Sequence, residues 1–223
     1  MHGQRGNILF LILLAVVLFA ALSYAVTRGE RGQVKNASSE KSSTIASNIV
    51  QTGGLLENTV NRLRLTNSCK ENQLSFDNPT VSGYTNSAAP ADKSCHVFDP
   101  AGGGVSWPTP PQDSGATVYY IGTPMVTGAG TGGADLTLFA DGLTREVCDE
   151  INQKVDSFVY KNSYALTEDS FVTLDNPRKF TGPYVQNADI DSSWWSIKIP
   201  SLSGCRKNTA GGNYYYYHVL LVR

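Results

Sequence analysis

The chain has 223 residues, 41% of them hydrophobic, with 18 lysines and arginines against 19 aspartates and glutamates and a formal charge of −1. That length and apolar content suffice for one sizeable globular domain beyond a membrane segment, and the near-zero charge excludes a basic nucleic-acid surface as the main interface. The 21 glycines, 10 prolines and 10% aromatic residues describe a loop-rich domain of short strands rather than a disordered chain.

Residues 8–26 form a 19-residue run without a charge, preceded by seven residues in which Arg5 is the one basic side chain besides His2. As a helix the run spans about 28 Å, close to the roughly 30 Å hydrocarbon core of a bilayer, and the basic start keeps the short N-terminal end cytoplasmic with the remaining chain outside. Ser23-Tyr24-Ala25 offers a second reading, a small-x-small signal-peptidase site that would leave Val26 as the mature N-terminus.

Arg5-Gly6 followed by Asn7-Ile8-Leu9-Phe10-Leu11 resembles the N-terminus of type IV pilins and pseudopilins. The resemblance implies that a prepilin peptidase cuts between Gly6 and Asn7, that the new N-terminus is methylated, and that the exposed helix packs against other subunits in a filament through side chains such as Ile8, Phe10, Leu14, Val17 and Leu22. Leu11 stands where the family usually has Glu as the fifth mature residue, and Asn7 where it usually has Phe or Met. A buried carboxylate there would offset a neighbour's buried amine, which Leu cannot do.

Residues 27–32 (Thr-Arg-Gly-Glu-Arg-Gly) end the apolar run with mixed charge. Gly29 and Gly32 each weaken a helix by roughly 1 kcal/mol, which predicts a junction able to extend or unwind. From residue 33 to 65, apolar side chains return at Ile45, Ile49, Leu56, Val60 and Leu63, the spacing of one helix face, so the helix continues into the head. Gly53-Gly54 predicts a kink or the close approach of another backbone.

Residues 73–76 form a short strand candidate, and residues 99–111, with a glycine triplet and four prolines, three of them just after Trp107, read as a connector of turns and polyproline. No Gly-Lys-Ser/Thr follows the triplet, so it is not a phosphate loop. Residues 116–122 and 134–140 are strand-like and linked by the glycine-rich 128–133, which predicts a hairpin. Asp141 is positioned to cap a helix through Val155, with Leu143, Val147, Ile151 and Val155 on one face. Residues 171–174, 194–199 and 214–222 are further strand candidates, the last placing Tyr214 to Tyr217 alternately on its two faces, as core packing or as a surface for glycans or a neighbouring subunit.

Four cysteines, Cys69, Cys95, Cys148 and Cys205, all follow the apolar run and read as an extracytoplasmic disulfide framework with three possible pairings. Cys69–Cys95 and Cys148–Cys205 are preferred because each closes a segment with the pattern of a unit, contributing about 3.5 and about 4 kcal/mol in the chain-entropy treatment. Residues 142–152 also resemble the disulfide region of type IVb pilin heads, where a cysteine just before an Ile/Leu-Asn pair bonds one near the C-terminus, the place Cys205 takes here.

His2, His96 and His218 show no metal or catalytic spacing, no Gly-x-Ser-x-Gly elbow is present, and no C-x-x-C suggests zinc. Neither enzyme activity nor a cofactor is expected. Asp175-Asn176 with Asp189 and Asp191 supply oxygen ligands suited to calcium, although exposed turns use the same residues.

The expected fold is α+β: a long N-terminal helix, transmembrane then amphipathic, packed on an antiparallel sheet head with disulfides. The expected division is a leader at 1–6, a membrane or filament-core helix and junction at 7–32, an amphipathic half at 33–66 and a globular head at 67–223. The expected function is that of a filament subunit, partnered by copies of itself or other pilin subunits and by prepilin peptidase. Its head would lie in the periplasm of a bacterium, with the helix in the inner membrane before assembly into a periplasmic or cell-surface filament. The alternative is a secreted or anchored extracytoplasmic binding module using residues 8–26 as signal or anchor.

Overall fold

The computed structural model describes residues 6–126, 129–155, 168–169, 179–185, 189–190, 202–208 and 212–223. The strand candidates at 171–174 and 194–199 lie outside these residues, as do Asp175, Asn176 and Asp191 of the calcium reading.

Helix α1 (Gly6–Thr66) is one 61-residue element, helical through Gly29, Gly32, Gly53 and Gly54. The chain divides into two compact units, Met1–Lys41 and Ser42–Arg223. The boundary between these units falls inside α1, and the helix from Ile45 onward is part of the head's core. Ile45, Ile49, Leu56, Val60 and Leu63 are all at most 7% exposed. Each such side chain contributes about 1.5–3 kcal/mol by leaving water.

The remaining elements are β1 (Tyr119–Gly122), β2 (Met125–Val126), β3 (Leu136–Leu143), α2 (Arg145–Lys154), β4 (Glu168–Asp169), β5 (Asp189–Ile190), β6 (Ser203–Asn208) and β7 (Tyr214–Leu221). The sheet runs β1-β3-β7-β6 with every pairing antiparallel, and two-residue β4 joins β6 in parallel at its edge. Strands β2 and β5 form a separate parallel pair. The fold is α+β, and β1 and β3 form the expected hairpin, with strands at 119–122 and 136–143 rather than 116–122 and 134–140.

Two local expectations change. Asp141 belongs to β3, which continues past a register shift between Asp141 and Leu143 to pair Leu143 with Tyr214. The helix consequently begins three residues later, and Thr144 caps it by accepting the Val147 N–H at 3.3 Å. Residues 73–76 form no extended strand: Glu71–Gln73 is a 3₁₀ turn, and Ser75 makes a single parallel bridge to His96. Pairing partners across the chain decided both cases.

On β7, Tyr216 enters the main core with Leu138, Ala140 and Leu56, while Tyr215, Tyr217 and Val219 join Phe139 in a second cluster. The tyrosine run thus packs on both sides of the sheet. Cys69–Cys95 links the chain leaving α1 to the loop before His96, and Cys148–Cys205 links α2 to β6. Asn152, one turn beyond Cys148, reinforces the second link: its side chain donates to the Cys205 carbonyl at 2.9 Å and accepts the Cys205 N–H at 2.8 Å.

Candidate assembly surface and polar seam

Gly6 and Asn7, the expected cleavage pair, are the first two residues of α1, followed by Ile8. Further along, Phe10, Leu14, Val17 and Leu22 are 65%, 48%, 59% and 66% exposed. They are not a stripe beside a polar face. Eleven large apolar side chains between residues 10 and 24 are exposed, and the stretch contains no charge. Leu and Ala are strong helix formers, but no part of their own unit covers the large apolar side chains. Among the described residues no helix is long and apolar enough to cross a membrane. The apolar side chains described end at Tyr24 and begin at Phe10, a length of about 22 Å.

The head half of α1 carries a different arrangement. Between Ile49 and Leu56 the buried stripe skips one turn, and Gly53 occupies the gap. A Cβ on Gly53 would lie 2.4 Å from Tyr216 Oη and 2.8 Å from His218 Cγ. The close approach expected at this glycine is therefore to two side chains of β7, not to backbone. One turn on, Glu57 Oε2 lies 2.8 Å from His218 Nε2. His218 Nδ1 lies 3.0 Å from the Tyr216 hydroxyl, which accepts from Ser203 Oγ at 3.3 Å.

These four side chains form a hydrogen-bonded line from β6 through β7 to α1. With Ser203 donating to Tyr216, the phenol proton is directed to His218 Nδ1, which accepts, and the single N–H of the neutral ring is on Nε2, facing the Glu57 carboxylate. Burial pushes the Tyr216 phenol far above its ordinary value, so it stays a neutral donor. Neighbouring Tyr119 is pushed up to about 12 by the same desolvation. The chemistry suits alignment: a helix with a missing side chain is keyed onto a strand by two polar rings. Nothing in the spacing of histidines pointed to this, since Glu57 and His218 are 161 residues apart. The readable signal was the seven-residue step in the apolar stripe with Gly53 in its middle.

A second polar cluster closes the opposite end of the head half. Glu71 pairs with Arg64 of α1 at 3.1 Å and with Arg223 at 3.0 Å, and the Arg223 guanidinium lies 4.2 Å from the Tyr184 ring centre. Asp135, fully buried, accepts the Arg223 N–H at 2.8 Å and the Val126 N–H at 3.1 Å. Desolvation outweighs these hydrogen bonds and raises its pKa from the ordinary value.

Among the described residues no group of three or more His, Cys, Asp or Glu side chains is gathered to hold a metal ion. Of the calcium candidates, Asp189 is in β5. No family model matches the chain, and no curated protein or solved structure matches it either.

Proposed function

We propose that the chain is a structural subunit of a type IV pilus-like or pseudopilus filament, assembled through the apolar part of α1. The observation that carries this reading is the exposure of eleven large apolar side chains on a charge-free helical stretch, continuous with a helix whose other half is built into a disulfide-linked head. A helix apolar on all sides is stable only inside lipid or among other apolar helices. In the proposed sequence of events, the helix first sits in the inner membrane with the head outside. Removal of the leader through Gly6 exposes Asn7, and the apolar stretch then exchanges lipid contacts for contacts with neighbouring subunits. The head is carried outward and supplies the filament's surface.

The second reading, an extracytoplasmic binding module whose apolar run is only a signal or anchor, is favoured by Ser23-Tyr24-Ala25 and by Leu11 in place of Glu. Intact-mass spectrometry with N-terminal peptide mapping, on native envelopes and sheared surface material, separates them. The filament reading expects a species beginning at a methylated Asn7. A species beginning at Val26, or one retaining Met1, overturns it.

A further inference from the structure

We infer that residues 105–112 are a preformed polyproline II ridge that docks in the aromatic-lined groove of a partner protein. The inference rests on the head alone and is independent of how the apolar part of α1 is used.

The conformation follows first from the residues. Proline holds φ near −65° at Pro108, Pro110 and Pro111, and each ring drives the residue before it, Trp107, Thr109 and Pro110, to an extended ψ. Together these constraints give the left-handed polyproline II helix, which repeats every three residues. That repeat is present in the exposure of the side chains. Ser106, Thr109 and Gln112 are exposed, and every other residue from Val105 to Pro111 is half-buried. The segment runs between two left-handed turns, at Gly104 (φ 67°) and Asp113 (φ 64°).

The opposite side of the ridge is fastened to the head. The Trp107 ring centre lies 4.9 Å from that of Phe98 and 5.3 Å from that of Tyr84, and Val105 packs against the same core. Docking therefore orders little further chain, because folding has already fixed the segment. At about 3.1 Å per residue, the three exposed side chains stand about 9 Å apart along one line, with the proline rings flanking it.

The kind of partner follows from what the ridge lacks. Among the described residues, no backbone hydrogen bond uses the N–H or C=O of residues 105–110. Open backbone groups on an extended segment are ordinarily a template for an added strand. Here Pro108, Pro110 and Pro111 have no N–H, so Thr109 is the single donor over four residues and a β-ladder cannot continue past Trp107. Residues 100–112 carry no charge, so no ion pair holds the partner either. What remains to be recognised is a row of carbonyl oxygens and proline rings. Aromatic side chains meet both, with ring faces against the prolines and an indole N–H or phenol O–H donating to a carbonyl.

The test places the photoreactive amino acid p-benzoylphenylalanine in the full chain in native envelopes, at Thr109 on the ridge or at Ala91 on another exposed turn. After irradiation, cross-linked peptides are mapped by mass spectrometry. Thr109 is expected to give an adduct with one partner protein, several-fold above Ala91 and mapped to a groove containing aromatic residues. Adding Pro108→Ala with Pro111→Ala should lower that adduct several-fold while head unfolding in urea stays unchanged; Pro111→Ala alone is the smaller change if the double variant unfolds. With the purified partner, replacing the mapped aromatic residue by Ala should weaken binding about tenfold. No adduct above Ala91, an adduct that survives the proline substitutions, or an affinity unmoved by loss of the partner's aromatic residue overturns the inference. So does an adduct with lipid, with a second copy of the chain, or with a partner's sheet edge.

Discussion

The two helices of the head bury one face each in the same core and turn opposite chemistries outward. On α2, five of ten residues are charged, with Glu146 in the first turn, Lys154 in the last and Arg145 paired to Asp149 at 3.6 Å. Those placements complement the helix dipole and suit a face that stays in water, each contributing a few tenths of a kcal/mol. On α1 the stretch 42–56 faces outward with hydroxyls, amides and Leu55 and has no charge to solvate. The inward faces answer to one core, so they look alike. The outward faces are free of that constraint, and they differ: charged on α2, uncharged over residues 42–56 of α1.

The attachments of the two helices differ too, and substitutions can rank them. The largest effect is expected at the covalent links. Cys148→Ser with Cys205→Ser, which frees α2, should lower stability by about 4 kcal/mol, and Cys69→Ser with Cys95→Ser, beside the end of α1, by about 3.5 kcal/mol. Urea unfolding of the two double variants checks the order; a reversed order would place the tighter fastening at α1, and an equal loss would remove the ranking.

Next comes the keyed contact of α1. Gly53→Ala gains about 1 kcal/mol of helix propensity but drives a methyl group into the buried Tyr216 and His218 rings, a net loss of about 2 kcal/mol. Gly54→Ala, with open space at its Cβ, should instead gain about 0.5–1 kcal/mol. Opposite signs at adjacent glycines in thermal unfolding would confirm the notch, and matching signs would remove it. A comparable loss, about 2 kcal/mol, is expected for Asn152→Ala, which leaves both backbone groups of Cys205 unpaired in the core behind α2. The readout is the urea midpoint with the disulfide intact.

The smallest effect is a pH dependence at the Arg223 cluster. Burial raises the folded pKa of Asp135 above its ordinary value of 3.8, so the folded chain takes up this proton at higher pH than the unfolded chain. The linked stability is complete below the unfolded value and is lost as pH rises through the folded one. Denaturation of wild type and Asp135→Asn between about pH 3 and about pH 6 should show wild type gaining on the variant as pH falls. A constant difference would assign the raised value to some other balance of solvation.

Much of this was legible in the order of residues because it depends on near neighbours. The charge-free run at 8–26 and the stripe from Ile45 to Leu63 are periodic signals within one helix, and the stripe is buried as its spacing required. The aromatic alternation of β7 and the preferred pairings Cys69–Cys95 and Cys148–Cys205, each closing a segment with the pattern of a unit, also held. Asp141 failed as a cap because β3 gains more by pairing through Leu143 with β7 than by stopping early, a preference that no local propensity records. Gly53 was read as a place of close approach, but what approaches it comes from β7.

The sequence by itself determined that α1 has an apolar half and an amphipathic half, that the head is a sheet with covalent links, and that residues 42–56 bear no charge. Each follows from side-chain chemistry repeated at the pitch of a helix or strand. Only the tertiary structure decided that the vacancy at Gly53 is filled by Tyr216 and His218, that Glu57 completes their line of hydrogen bonds, and which row of α1 remains outside. Those outcomes require two distant segments to be fitted together, and close packing permits few registers in which a glycine, two rings and a carboxylate all find their partners.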